Sequence, residues 1–128
     1  MKDIYNEVIS IDYPATETIE KYFLALSNYV YFMGEKLETL GTYDAMSKAA
    51  YKQVYNTAYL NNQIKDAEKK NKTTVAENTA IAENSAIYEG TVNDIYSKAY
   101  KIVKNKIDAA QTMISTLSKI MSKRIQEQ

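Results

Sequence analysis

The sequence contains no cysteine and no histidine among its 128 residues, and it has only 3 glycines and 1 proline. Without cysteine, the chain cannot form disulfides, thiolate metal sites or a thiol nucleophile. Without histidine, it lacks the side chain that most often serves as an acid or base near neutral pH and as a zinc ligand. We therefore expect a protein that is not an enzyme and holds no metal or other cofactor.

The scarcity of glycine and proline favours long helices, because these two residues make turns and interrupt helices. Hydrophobic residues make up 45% of the chain and charged residues 25%, which is typical of a folded protein. The length suits a single domain over residues 1–128. We expect an all-α fold, an elongated antiparallel helical hairpin or bundle with coiled-coil character.

The first long helix is predicted over residues 16–41, after a short arm at residues 1–13. Proline and threonine at positions 14 and 16 suit a helix start, and Gly41 suits a helix end. Apolar residues between them recur at alternating steps of 4 and 3, the spacing of a coiled coil. These residues are Ile19, Phe23, Leu26, Val30, Met33, Leu37 and Leu40. We predict that four of them form an oligomer interface, namely Leu26, Val30, Met33 and Leu37. A monomeric bundle that covers them internally is the alternative.

Two more helical segments are predicted after Gly41. The first covers residues 43–70, and Tyr51, Tyr55 and Tyr59 form one ridge along it because they lie four residues apart. Thr74 and Glu77 have the spacing of a capping box, which predicts the start of a second segment. That segment covers residues 74–126, with a bend near Gly90.

The net charge of zero hides an uneven distribution along the chain. Residues 1–41 carry 3 lysines against 7 acidic residues, whereas residues 91–128 carry 7 basic residues against 3 acidic ones. Rows of basic residues on a helix, with tyrosines between them, are suited to phosphates and unpaired bases. The candidate DNA-binding residues are Lys98, Lys101, Lys104, Lys106, Lys123, Arg124 and Tyr100. The alternative is that these lysines only solvate the helices and the tyrosines pack between them.

Part of the chain resembles the small helical recombination mediators of T-even phages, the UvsY-like proteins. The resemblance is carried by the tyrosine ridge, by KNKTTVAEN at 70–78 and by AYKIVKNKIDAAQTMISTLSKIMSKRIQEQ at 99–128. It implies a helical oligomer that binds single-stranded DNA and helps to load a recombinase onto strands covered by a single-strand-binding protein. Matched onto this sequence, the resemblance implies DNA contacts by Lys101, Lys104, Lys106 and Arg124.

The expected function is therefore that of a non-enzymatic accessory of phage-type recombination, which binds single-stranded DNA and other copies of itself. A recombinase and a single-strand-binding protein are further expected partners. The alternative is a protein-binding module, such as a phage-encoded inhibitor of a host system, or a coiled-coil scaffold. The sequence shows neither an export signal nor a run of apolar residues long enough for a membrane helix, so we expect a cytoplasmic location, in a host cell if a phage encodes the chain.

Overall fold

The computed structural model describes residues 16–67 and 73–127, and within these ranges the chain forms three α-helices and no strand. Helix α1 covers Thr16–Ala67, α2 covers Val75–Ser85 and α3 covers Ile87–Glu127. The predicted all-α class is confirmed, and α1 and α3 pair as an antiparallel hairpin. The predicted arm at 1–13 and the last three residues of the segment predicted at 43–70 lie outside the described residues.

The predicted helix end at Gly41 is wrong, because α1 runs through it without a break to Ala67. Gly41 does not adopt the positive φ of a glycine that ends a helix. Its missing side chain serves packing instead. A Cβ on Gly41 would lie 3.3 Å from Cε2 of Tyr100, so the glycine allows this ring to approach the helix closely.

The predicted helix start at Thr74 is confirmed. The Thr74 hydroxyl accepts a hydrogen bond of 3.1 Å from the backbone N–H of Glu77, which satisfies one of the free amides at the start of α2.

The segment predicted at 74–126 is interrupted at Ala86, which separates α2 from α3, and α3 runs through Gly90, where the bend was predicted. The φ of −105° and ψ of 18° at Ala86 depart from helical values. The Ser85 hydroxyl donates to the carbonyl of Ile81 at 2.9 Å, and serines that bond back in this way often bend helices.

The described chain groups into two compact units, each with a stretch of α1 and a stretch of α3. We call residues 16–38 with 101–127 the terminal unit, and residues 39–67 with 73–100 the central unit. In the terminal unit, apolar residues of α1 pack against apolar residues of α3. The buried cluster consists of Ile19, Tyr22, Leu26, Ala110 and Leu117.

This core corrects the predicted oligomer interface. Leu26 is fully buried within its own chain, and Val30 packs against the same cluster. Met33 and Leu37 are half-buried. The heptad pattern predicts a helical partner but does not say whether that partner belongs to the same chain, and here α3 takes that place.

In the central unit, aromatic rings and polar bonds hold the helices together. Tyr43 of α1 and Tyr96 of α3 have ring centroids 5.4 Å apart. A Cβ on Gly90 would lie 3.2 Å from Cε2 of Tyr51, so these two residues also touch closely. The buried side of α2 is formed by Asn78 and Ala82, which lie four residues apart and therefore share one face of the helix.

Candidate nucleic-acid interface

The outer surface of α3 in the terminal unit carries a row of lysines. The opposite side of this helix points inward. Its residues Ile107, Ala110 and Leu117 are buried. At about 100° per residue, the four lysines fall within an arc of about 100°, centred nearly opposite the buried residues. We call them the basic face: Lys101, Lys104, Lys119 and Lys123, all exposed.

Neutral polar side chains fill most of the surface between the two ends of the basic face. Asn105, Thr112 and Ser115 are exposed there, and Asp108 stands among them as an acidic residue. From Lys101 to Lys123 the face extends about 33 Å along the helix. Four exposed cations along such a length suit contacts with several phosphates.

Two other predicted lysines are exposed but do not belong to this face. Lys106 lies two residues after Lys104, a rotation of about 200° around the helix, so it points away from the row. Lys98 is exposed and lies in the central unit. Lys119, which was not among the predicted DNA-binding residues, joins the face because it lies eighteen residues, or about five turns, after Lys101.

The prediction that Arg124 contacts DNA is wrong, because its side chain is buried against α1. The residue is 8% exposed, and Nη1 donates to the Thr16 hydroxyl at 3.3 Å. Arg124 lies on the inner side of α3, so its planar donor group joins the two helices rather than facing a ligand.

Tyr100 and the tyrosine ridge of α1 are engaged in packing. Tyr100 is half-buried, and its ring packs against Gly41. It is therefore a packing residue and does not belong to the basic face. The ridge of Tyr51, Tyr55 and Tyr59 is also half-buried, with neighbouring ring centroids 5.9 and 6.3 Å apart. Tyr88 is 74% exposed and lies in the central unit.

An acidic row occupies the outer surface of α1 in the same terminal unit. Its members fall within an arc of about 60°, on the side of α1 away from Leu26. We call them the acidic face: Glu17, Glu20, Glu35 and Glu38, all exposed. Two apolar residues lie between the two glutamate pairs, Leu24 at 65% and Tyr31 at 66% exposure. The terminal unit is thus acidic on one outer side and basic on the other.

A polar cluster between α1 and α3 of the central unit was not predicted as a functional group. The Asn93 side-chain amide donates to Oδ1 of Asp44 at 3.1 Å and to the hydroxyl of Ser47 at 3.0 Å. The Ser97 hydroxyl donates to the same Asp44 oxygen. The sequence signal was the four-residue spacing of Asn93 and Ser97, which puts both on one face. Because the Asp44 side chain accepts bonds from two residues of α3, the cluster joins the two helices as a polar clamp.

A second polar anchor lies where α1 meets α2. Asp66 is 6% exposed, and its carboxylate accepts hydrogen bonds from the backbone N–H and the hydroxyl of Thr73 at 3.2 and 2.6 Å. Asn62 donates to Asn78 at 2.8 Å nearby. These bonds satisfy buried polar groups and join the end of α1 to Thr73 and to α2, so they are structural.

Within residues 16–67 and 73–127, no set of acidic side chains is grouped so as to hold a metal ion. None of the described helices has the length and apolar character needed to cross a membrane.

No protein-family model, no curated protein and no solved structure matches the chain.

Proposed function

We propose that this chain is a non-enzymatic DNA-binding protein whose basic face contacts the phosphates of a single strand. The observation that supports the proposal is the basic face itself, four exposed lysines within one arc of α3. Lysine cations neutralise phosphates and release bound counterions, which provides affinity without sequence preference. Phosphate contacts alone do not distinguish single strands from duplex, so the preference for a single strand rests on the resemblance to phage recombination mediators.

That resemblance extends the proposal to an accessory role in phage-type recombination. In this role the chain binds a single strand together with a recombinase and a single-strand-binding protein. The mediator role is tested by whether the chain speeds recombinase assembly on a strand already covered by a single-strand-binding protein.

DNA binding is tested by fluorescence anisotropy of a labelled single-stranded oligonucleotide at several salt concentrations. Lys119→Ala with Lys123→Ala removes two cations of the basic face. We expect weaker binding and a salt slope, the slope of log affinity against log salt, that is shallower by about 1.4, since each phosphate contact on a single strand contributes about 0.7.

The matched control is Lys48→Ala with Lys52→Ala. These lysines are also exposed and also four residues apart, but they lie on α1 in the central unit. We expect the control to keep the wild-type salt slope. Equal losses in both double variants, or no binding by the wild-type chain in about 50 mM salt, would contradict the proposal.

A second candidate function, a protein-binding helical module, is favoured by the outer side of α1 in the central unit. Met46, Leu60 and Ile64 are exposed there at 63%, 57% and 65%. The twelve residues 53–64 contain no charge, which is unusual for the exposed part of a helix. A wild-type chain that does not bind DNA, together with a partner whose binding is lost in Ile64→Lys, would favour this function.

A further inference from the structure

The acidic and basic faces of the terminal unit have the same spacing along their helices. Glu17 and Glu35 are eighteen residues apart, and so are Glu20 and Glu38. On the basic face, Lys101 and Lys119 are also eighteen residues apart, and Lys104 and Lys123 are nineteen apart. Eighteen residues make about five helical turns, or about 27 Å, so each face presents two charged pairs at the same separation.

When the two faces are placed antiparallel, each glutamate of the acidic face can lie opposite one lysine of the basic face. If Glu17 lies opposite Lys123, every other charge of the acidic face falls opposite a charge of the basic face. The pairs are Glu17–Lys123, Glu20–Lys119, Glu35–Lys104 and Glu38–Lys101. The same register places Tyr31 opposite Asp108, so that the tyrosine hydroxyl faces the one carboxylate within the basic row.

The register is the one that α1 and α3 already use inside the chain, where Thr16 lies beside Arg124. The acidic face points away from α3 and the basic face points away from α1. A second copy that lies beside the first, with its α1 in the same direction and without sliding lengthwise, therefore brings its acidic face against the basic face of the first.

We propose that the acidic face of the terminal unit binds the basic face of a second copy of this chain, with α1 of one copy antiparallel to α3 of the other. The contact is heterologous, because each copy uses a different surface. It leaves one acidic and one basic face free at the ends of every assembly. Assemblies therefore grow with protein concentration, and salt weakens them because the paired charges are exposed.

Salt-dependent mass of the wild-type chain is the first test, measured by sedimentation velocity without nucleic acid. We expect the average mass to rise with concentration in about 50 mM salt and to return to that of one chain in about 500 mM salt. A mass of one chain at every concentration in low salt would overturn the proposal. Association that salt does not weaken would overturn it equally.

Charge reversal tests the register. Variant A carries Glu20→Lys and Glu38→Lys, and variant B carries Lys119→Glu and Lys101→Glu. Either variant alone puts like charges opposite each other in two of the four pairs, so we expect each to remain a single chain. In an equimolar mixture, the acidic face of A meets the basic face of B with opposite charges in all four pairs. The unaltered acidic face of B also meets the unaltered basic face of A, and this contact joins two chains whether or not the altered faces match. We therefore expect the mixture to grow beyond two chains as the wild-type chain does, because growth beyond two chains requires the altered faces to pair.

The control is Glu83→Lys with Asp94→Lys, which changes the net charge as in variant A but at exposed residues of the central unit. It should associate as the wild-type chain does. Helicity and melting temperature, measured by circular dichroism, establish that each variant is folded. Association of A alone at wild-type strength, or failure of the mixture to grow beyond two chains when A and B are both folded, would refute the pairing.

Both proposals use the basic face, so DNA and a second copy compete for it. The sedimentation experiments contain no nucleic acid, and anisotropy is measured at protein concentrations at which sedimentation gives the mass of one chain, so each proposal can fail without the other.

Discussion

Replacing the three glycines with alanine one at a time should change stability in an order set by their neighbours. An alanine gains about 0.5–1 kcal/mol over glycine within a helix because the unfolded chain loses less freedom. At Gly34 nothing lies within 4 Å of the new Cβ, so this gain should appear in full. At Gly41 the Cβ meets one ring carbon of Tyr100 at 3.3 Å, and at Gly90 it meets two ring carbons of Tyr51 at 3.2 and 3.3 Å.

Contacts this short force the ring to move, and overpacking of this kind costs about 1–3 kcal/mol. We therefore expect Gly34→Ala to be stabilising, Gly41→Ala to fall in the middle and Gly90→Ala to be the least stable. The difference between the first and last should be about 1–3 kcal/mol, or several degrees in melting temperature for a chain of this size.

Thermal and urea unfolding, followed by circular dichroism, measure the three free energies. A double-mutant cycle of Gly90→Ala with Tyr51→Leu isolates the contact, because the loss at Gly90 should disappear once the ring is gone. If Gly90→Ala were as stabilising as Gly34→Ala, the close approach of Tyr51 to α3 would be refuted.

Two further predictions concern single side chains. Thr74→Ala should cost about 1 kcal/mol in unfolding free energy because the cap of α2 is lost, whereas Thr74→Ser should keep most of it; equal stability of the two would contradict the cap. Arg124→Ala should cost about 1–3 kcal/mol because a buried side chain and its bond to Thr16 are lost. The adjacent Lys123→Ala should stay within about 0.5 kcal/mol of wild type, and a reversed order in urea unfolding would contradict the burial of Arg124.

Local signals in the sequence were sufficient for the helical class and for one helix boundary. Few glycines and prolines leave little to interrupt a helix, and the all-α class followed from this. The cap at Thr74 depends on residues only three positions apart, so a short pattern is enough to predict it. The outward direction of the lysines at 101, 104 and 123 also followed from helical spacing, once the apolar side of the segment was identified.

Positions that depend on a distant part of the chain were predicted wrongly. Gly41 has the local character of a helix end, but the ring of Tyr100 explains why a glycine occurs within the helix there. Arg124 was grouped with its neighbour Lys123, yet one step along a helix rotates a side chain by about 100°, which turns Arg124 toward Thr16.

The sequence by itself determined that the chain forms helices and which positions along each helix are apolar or charged, because both depend on residues within a few turns of one another. Only the tertiary structure decided which surfaces remain available. Leu26 has the same heptad spacing whether α3 or another copy covers it, and the covering helix comes from residues about eighty positions away in this chain. That long-range pairing buries the apolar rows against each other, and it leaves the acidic face of α1 and the basic face of α3 exposed on opposite sides of the terminal unit.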